Sequence, residues 1–165
     1  MISLKPRQYG EAGVVRYDLM AVTADDDYAA ARDELLDADE VDELLGLRID
    51  SVTAEFDGVR ESVQIMVVPD GTDLSSYLKM ESLDGRALTV PAGGALITKN
   101  AEQVLGFALG DSVTLQDSSL RQGEVRIDDI VLNYLGNFVF MDQSTYREAF
   151  GKDAAPNAFL ALLNG

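Results

Sequence analysis

The clearest pattern in the chain is a two-residue alternation. Val52, Ala54 and Phe56 alternate with Thr53 and Glu55; Val63, Ile65 and Val67 alternate with Gln64 and Met66. Between them stands Asp57-Gly58, a pair suited to a tight turn whose central residues need positive φ. The stretch predicts an antiparallel β-hairpin, ended by Pro69, Asp70 and Gly71. Residues 16–22 predict a first strand, with Tyr17, Leu19 and Ala21 on one side. Further strands are predicted at Val113 and Leu115, at Val125 and Ile127, at 138–141 and, mostly buried, at 158–163. Asp128-Asp129 interrupts one of these alternations and marks a bulge.

Helical spacing is weaker. Tyr28, Ala31 and Leu35 recur at such a spacing, and so do Val41, Leu44 and Leu45. They predict two short amphipathic helices, or one broken near 37–39, with Asp39 as a second N-cap and Gly46 beyond the C-terminus. These helices are expected to cover the hairpin. Thr98 or Asn100 can cap a helix ending at Gly106, and Asp142 one that carries Tyr146, Ala149 and Phe150 and stops at Gly151. Residues 74–89 are poorly patterned, with a short strand at 77–80 before a turn at Asp84-Gly85. The expected fold is α+β: seven or eight strands in mixed and antiparallel sheets with four short helices, in two lobes. Residues 1–165 form a single domain in this reading, its lobes 14–70 with 156–164 and 72–155.

Charge narrows the function classes. Thirteen Lys and Arg face 29 Asp and Glu, a net charge of −16. Affinity for phosphate comes from cations, so nucleic acid is not an expected partner. Residues 25–43 hold ten carboxylates against Arg32 alone, a net −9. There is no Cys and no His, so no thiolate nucleophile, imidazole base, Ser-His-Asp triad or Cys/His zinc site can be built. No apolar run approaches the roughly 20 residues of a membrane helix, and residues 1–10 lack the apolar core of a signal peptide.

The remaining motifs are bland. An EF-hand loop begun at Asp37 fails, because Val41 and Asp42 stand where an oxygen ligand and a glycine are needed. The acidic stretch therefore reads as a solvated face. Gly93-Gly94 lacks the following Lys and Ser/Thr of a phosphate loop and reads as a turn. With 29 acids, a pair at glycosidase spacing carries no information without a cleft. Residues 133–138 read as an exposed recognition loop or as a glycine bend with aromatics in the core, the latter for Phe138; Tyr134 fits either. No catalytic, cofactor-binding or metal-ligating residue is assigned, no cofactor is expected, and residues touching a substrate or partner stay unassigned.

The second half carries a resemblance. The run from Ala95 to Gly106, followed by Leu109-Gly-Asp-Ser-Val-Thr-Leu115, resembles the extracytoplasmic, MacB-like periplasmic core domain of FtsX-like ABC transporter permeases. Residues 131–141, with Tyr146 and Phe150-Gly151, are similar to the same domain in long Gram-positive permeases. Gln8-Tyr9 and Tyr17-Asp18-Leu19-Met20 are similar to the stretch after a first membrane helix. The resemblance implies a non-enzymatic domain on the outer side of the cell membrane, cut from a longer chain and flanked there by membrane helices. Through those helices it would work with a cytoplasmic ABC ATPase and meet a second permease copy or half, transmitting conformational change or handling substrate. The alternative is a module that senses a ligand or cationic peptide in a cleft between its lobes.

Overall fold

A computed structural model describes residues 17–23, 27–132 and 137–164. Eight strands and three helices follow in the order β1 (Leu19–Val22), α1 (Tyr28–Asp37), β2 (Val41–Phe56), β3 (Val59–Val68), β4 (Ala95–Thr98), α2 (Lys99–Leu105), β5 (Ser112–Gln116), β6 (Gln122–Val131), β7 (Phe138–Asp142), α3 (Gln143–Phe150) and β8 (Ala158–Leu163). The fold is α+β with a mixed sheet, as the alternation predicts.

The strand order is β1-β8-β2-β3-β7-β4-β6-β5, and β5 also pairs with β2. That last pairing closes six strands, β2-β3-β7-β4-β6-β5, into a barrel. Side chains fill it: Val52, Ala54, Val63, Ile65, Ile97 and Leu115 pack inside with partners from every strand. Phe107 and residues of α2 and α3 complete the same cluster. Outside the ring, β1 and β8 join the first half of β2 in a three-stranded antiparallel sheet. Leu47 and Leu160 from this sheet pack with Met66, Leu96 and Phe140, which point out of the barrel. Strands β3, β4 and β7 are thus buried on both faces, which is why their apolar runs are continuous rather than alternating.

Several local expectations hold. Asp57 and Gly58 take φ of 50° and 82°, the positive values a two-residue hairpin turn needs. The Asp142 carboxylate accepts from Thr145 N–H at 2.9 Å and caps α3. The bulge falls at Asp128, skipped as Ala95 pairs Ile127 and Leu96 pairs Asp129.

Two expectations are corrected. Residues 41–45 are not helical; they begin β2, a strand of 16 residues. A bulge between Val41 and Glu43 lets Val41 and Leu44 share one face three residues apart, which imitates helical spacing. The helices therefore number three among the described residues, and α1 lies on β1, β8 and the start of β2 rather than over the hairpin. The strand expected at 77–80 is instead a 3₁₀ turn, Leu74–Ser76, followed by irregular chain. Tyr77, Leu78 and Met80 are buried there as a wedge beneath the terminal sheet, so their apolar character reflects packing and not a ladder.

Candidate functional site

Strand β2 changes partner in mid-course: up to Leu47 it pairs with β8, and from Arg48 onward with β3. Asn157, buried just before β8, fills the junction. Its backbone N–H donates to the Leu47 carbonyl at 3.0 Å. Its side chain then continues the ladder as a peptide group would: Ile49 N–H donates to Oδ1 at 2.8 Å, and Nδ2 donates to the Ile49 carbonyl at 2.9 Å. The Asn157 carbonyl accepts from the Thr23 backbone at 2.8 Å and from the Thr23 hydroxyl at 3.1 Å. One amide thus ties the end of β1, the start of β8 and the middle of β2. Beside it Arg48 donates twice to Asp50, at 2.8 and 3.1 Å, and once to the Ala155 carbonyl at 3.1 Å.

The next residue on the same edge of β2 is open. Ser51 faces Gln64 across the hairpin, but the Gln64 N–H donates away from it, to the Asn137 carbonyl at 2.9 Å. In an antiparallel ladder that makes the pair non-hydrogen-bonded, so the Ser51 N–H and C=O point to the far edge. There Asn157 stops at Ile49, and β5 begins at Thr53. Two grooves of about 450 and 250 Å³ meet at this gap and share Ser51, Asp117 and Ser118. One extends past Gln116 to Asn137, the other past Asp50 to Tyr146 and Lys152.

Burial, then the charges of Asp50 and Asp117, push the Tyr146 hydroxyl above its usual range, so it stays a protonated donor. One Asp117 oxygen already accepts from Ser119 and Arg121 N–H, both at 2.9 Å. Among the described residues no group of three or more carboxylates is placed to hold a metal ion.

The two ends of the described chain lie together. Leu19 pairs with Ala161, Asp18 N–H donates to the Ala161 carbonyl at 2.9 Å, and Leu163 N–H donates to the Asp18 carboxylate at 2.9 Å. Residues 18 and 163 therefore lie at the same end of the β1–β8 pair. Among the described residues no helix is long and apolar enough to cross a membrane.

The features noted in the sequence are dispersed by the fold. The acidic stretch divides among α1, the turn after it and the start of β2, with residues 24–26 outside the described residues. Gly93 does sit in a turn at φ 78°, whereas any side chain at Gly94 would run into the Asp128 carboxylate. Residues 133–136, and with them Tyr134, lie outside the described residues; so do Gln8-Tyr9. Phe138 is half-buried and stacks on Phe140 with centroids 5.7 Å apart. Asn157 and Ser51 carry no sequence signal, because each matters only through which strand ends beside it.

No family model matches the chain, and no curated protein matches it. Solved structures do. One is the extracellular domain of the noncanonic ABC-type transporter YknZ from Gram-positive bacteria, with TM-score 0.55 and 15% identity over 92% of this chain and 83% of that one. Another is the periplasmic region of MacB from Actinobacillus actinomycetemcomitans, with TM-score 0.51 and 10% identity over 98% of this chain and 72% of that one. Over nearly its whole length, the chain shares the fold of these extracellular and periplasmic transporter domains.

Proposed function

We propose that the chain is a non-catalytic extracytoplasmic domain of an FtsX-like ABC transporter permease, passing ATP-driven movement from the membrane to a rigid outer body. The observation that carries this reading is the meeting of residues 18–22 and 158–163 on the β1–β8 pair, which suits insertion between two membrane helices. From that end β2 runs through 16 residues, about 50 Å at a strand's rise, past its bulge and into the barrel. A tilt of the flanking helices would reach β1 and β8, pass through the Asn157 junction to β2, and turn the barrel as a body.

In this reading residues 1–165 act as one domain on the outer side of the cell membrane. Its lobes, 14–70 with 156–164 and 72–155, move together because β2 and β3 bond to strands of both. The partners are the flanking helices, a cytoplasmic ABC ATPase acting through them, and a second permease copy or half. The chain has no cysteine, which makes the test clean. A single cysteine placed at Asp57, on the exposed hairpin tip, is expected to react with a membrane-impermeant maleimide in intact cells. Labelling only after lysis would overturn the reading.

A further inference from the structure

Helix α1 is too short for the sheet that it covers. On the outer face of the terminal sheet, cross-strand register sets three rows: Ala21, Phe159 and Gly46; Leu19, Ala161 and Leu44; then Leu163 and Val41. Tyr28 stacks on Phe159 with centroids 4.5 Å apart, and Ala31 and Leu35 cover the middle row. The helix ends at Asp37 and the chain turns back into β2, leaving Leu163 and Val41 only partly buried. Together with Leu19, Leu35 and Ala38 they line a groove of about 450 Å³, with Glu34 and Glu40 as its acidic lining. Leu36, next to it on α1, is 52% exposed.

Among the described residues the charge around the groove has no ion-pair counterweight. Residues 27–43 hold eight carboxylates and Arg32 alone. The ion pairs of the described residues all lie elsewhere, on Arg48, Arg60, Lys79, Arg86, Arg126 and Arg147 with acids outside this stretch. An apolar sheet face is ordinarily closed by a helix layer, and the groove lies beside α1 where a second helix would run. Its acids select the sign of that helix: a second copy would bring like charge, and an anionic lipid surface would be repelled.

We propose that this groove docks a cationic amphipathic helix of a partner protein. Its apolar stripe lies on Leu19, Val41 and Leu163, and its flanking Lys or Arg residues face Glu34 and Glu40. This interaction goes beyond the permease reading and stands or falls independently of it.

The test titrates three synthetic helices onto the whole chain at near-physiological salt: one of Lys and Leu with an amphipathic stripe, one of Glu and Leu, and one of Lys and Ser with equal charge. The Lys/Leu helix is expected to bind saturably, one per chain, and the other two not. Glu34→Lys with Glu40→Lys should weaken it by about tenfold or more, and Ala38→Arg should abolish it by filling the groove. Asp57→Lys, on the distant hairpin tip, should leave it unchanged, and melting curves check that each variant folds. Equal binding of the Lys/Ser helix, or indifference to the groove variants, would reduce the effect to bulk charge and overturn the proposal. Dimerisation of the purified chain that Ala38→Arg abolishes would overturn it too, assigning the face to a second copy.

Discussion

The barrel and the terminal sheet use one strand, β2, to opposite ends. In the barrel each of the six strands has a neighbour on both sides, and the interior is filled from every wall. The terminal sheet ends on the four-residue β1, and one helix of 10 residues covers its outer face. Closure removes all but the short edge at Ser51 and leaves a stiff unit whose grooves are mainly polar in lining. Incomplete coverage costs stability but leaves a groove, lined by Glu34 and Glu40 beside its apolar side chains. The difference sets a closed, filled body and a partly uncovered apolar face at the two ends of β2, with Asn157 holding the junction.

The comparison can be broken most directly in the two cores. Ile97→Ala, at a fully buried barrel position, is expected to cost about 4 kcal/mol and to unfold the chain as a unit in urea. Leu35→Ala on α1 should cost about 2 kcal/mol and accelerate amide exchange in β1 and β8 first. Equal losses with uniform exchange would mean that the two regions are a single cooperative body.

The junction comes next. Asn157→Ala strands the Ile49 N–H and C=O without their partners, at a cost of about 3 kcal/mol. Exchange in β1 and β8 should quicken while β4 and β6 stay protected. Protection lost evenly across all of these strands would show that the junction does not separate the two regions.

Two glycines sharpen the contrast at smaller scale. A side chain at Gly123 would press on the main chain of Ala149 in α3, which cannot yield, so Gly123→Ala should cost about 2 kcal/mol by chemical denaturation. At Gly46 the obstacle is only the Tyr28 hydroxyl, the far end of a side chain that can swing, so Gly46→Ala should cost about 1 kcal/mol or less.

The smallest effect is electrostatic. Asp70 is held below the usual carboxylate range, first by the Ser144 hydroxyl and then by the Ser144 N–H at 2.9 Å. A carboxyl whose folded value is depressed contributes stability above its unfolded value of roughly 4, and loses it as pH falls through the lower folded value. Ser144→Ala should therefore lower stability slightly above about pH 4 and flatten its fall below that, the two proteins converging at the acid end. A steep acid limb retained in that variant would remove Asp70 from the account.

Much of the local structure was legible in the residues. The hairpin needed only its alternation and Asp57-Gly58, and α3 needed only Asp142 and Gly151. The bulge at Asp128 showed as a broken alternation. Residues 41–45 misled because a second bulge set Val41 and Leu44 on one face at a helix-like interval. Residues 77–80 misled because a buried irregular segment is as apolar as a strand. The acidic excess around α1 was visible, but not the groove within it, which depends on Leu163 lying across from Val41 more than a hundred residues earlier in the chain.

The amino-acid sequence by itself determined the α+β class, the hairpin, the Asp142 cap of α3, the absence of thiol and imidazole chemistry, and the sign of the surface, since each rests on composition or on neighbours a few residues apart. Tertiary structure alone decided the β5–β2 closure of the barrel, the amide of Asn157 standing in for a peptide group, the open edge at Ser51, and the row that α1 leaves uncovered. Those features arise where one strand stops beside another, and stopping points are set by packing across the whole chain.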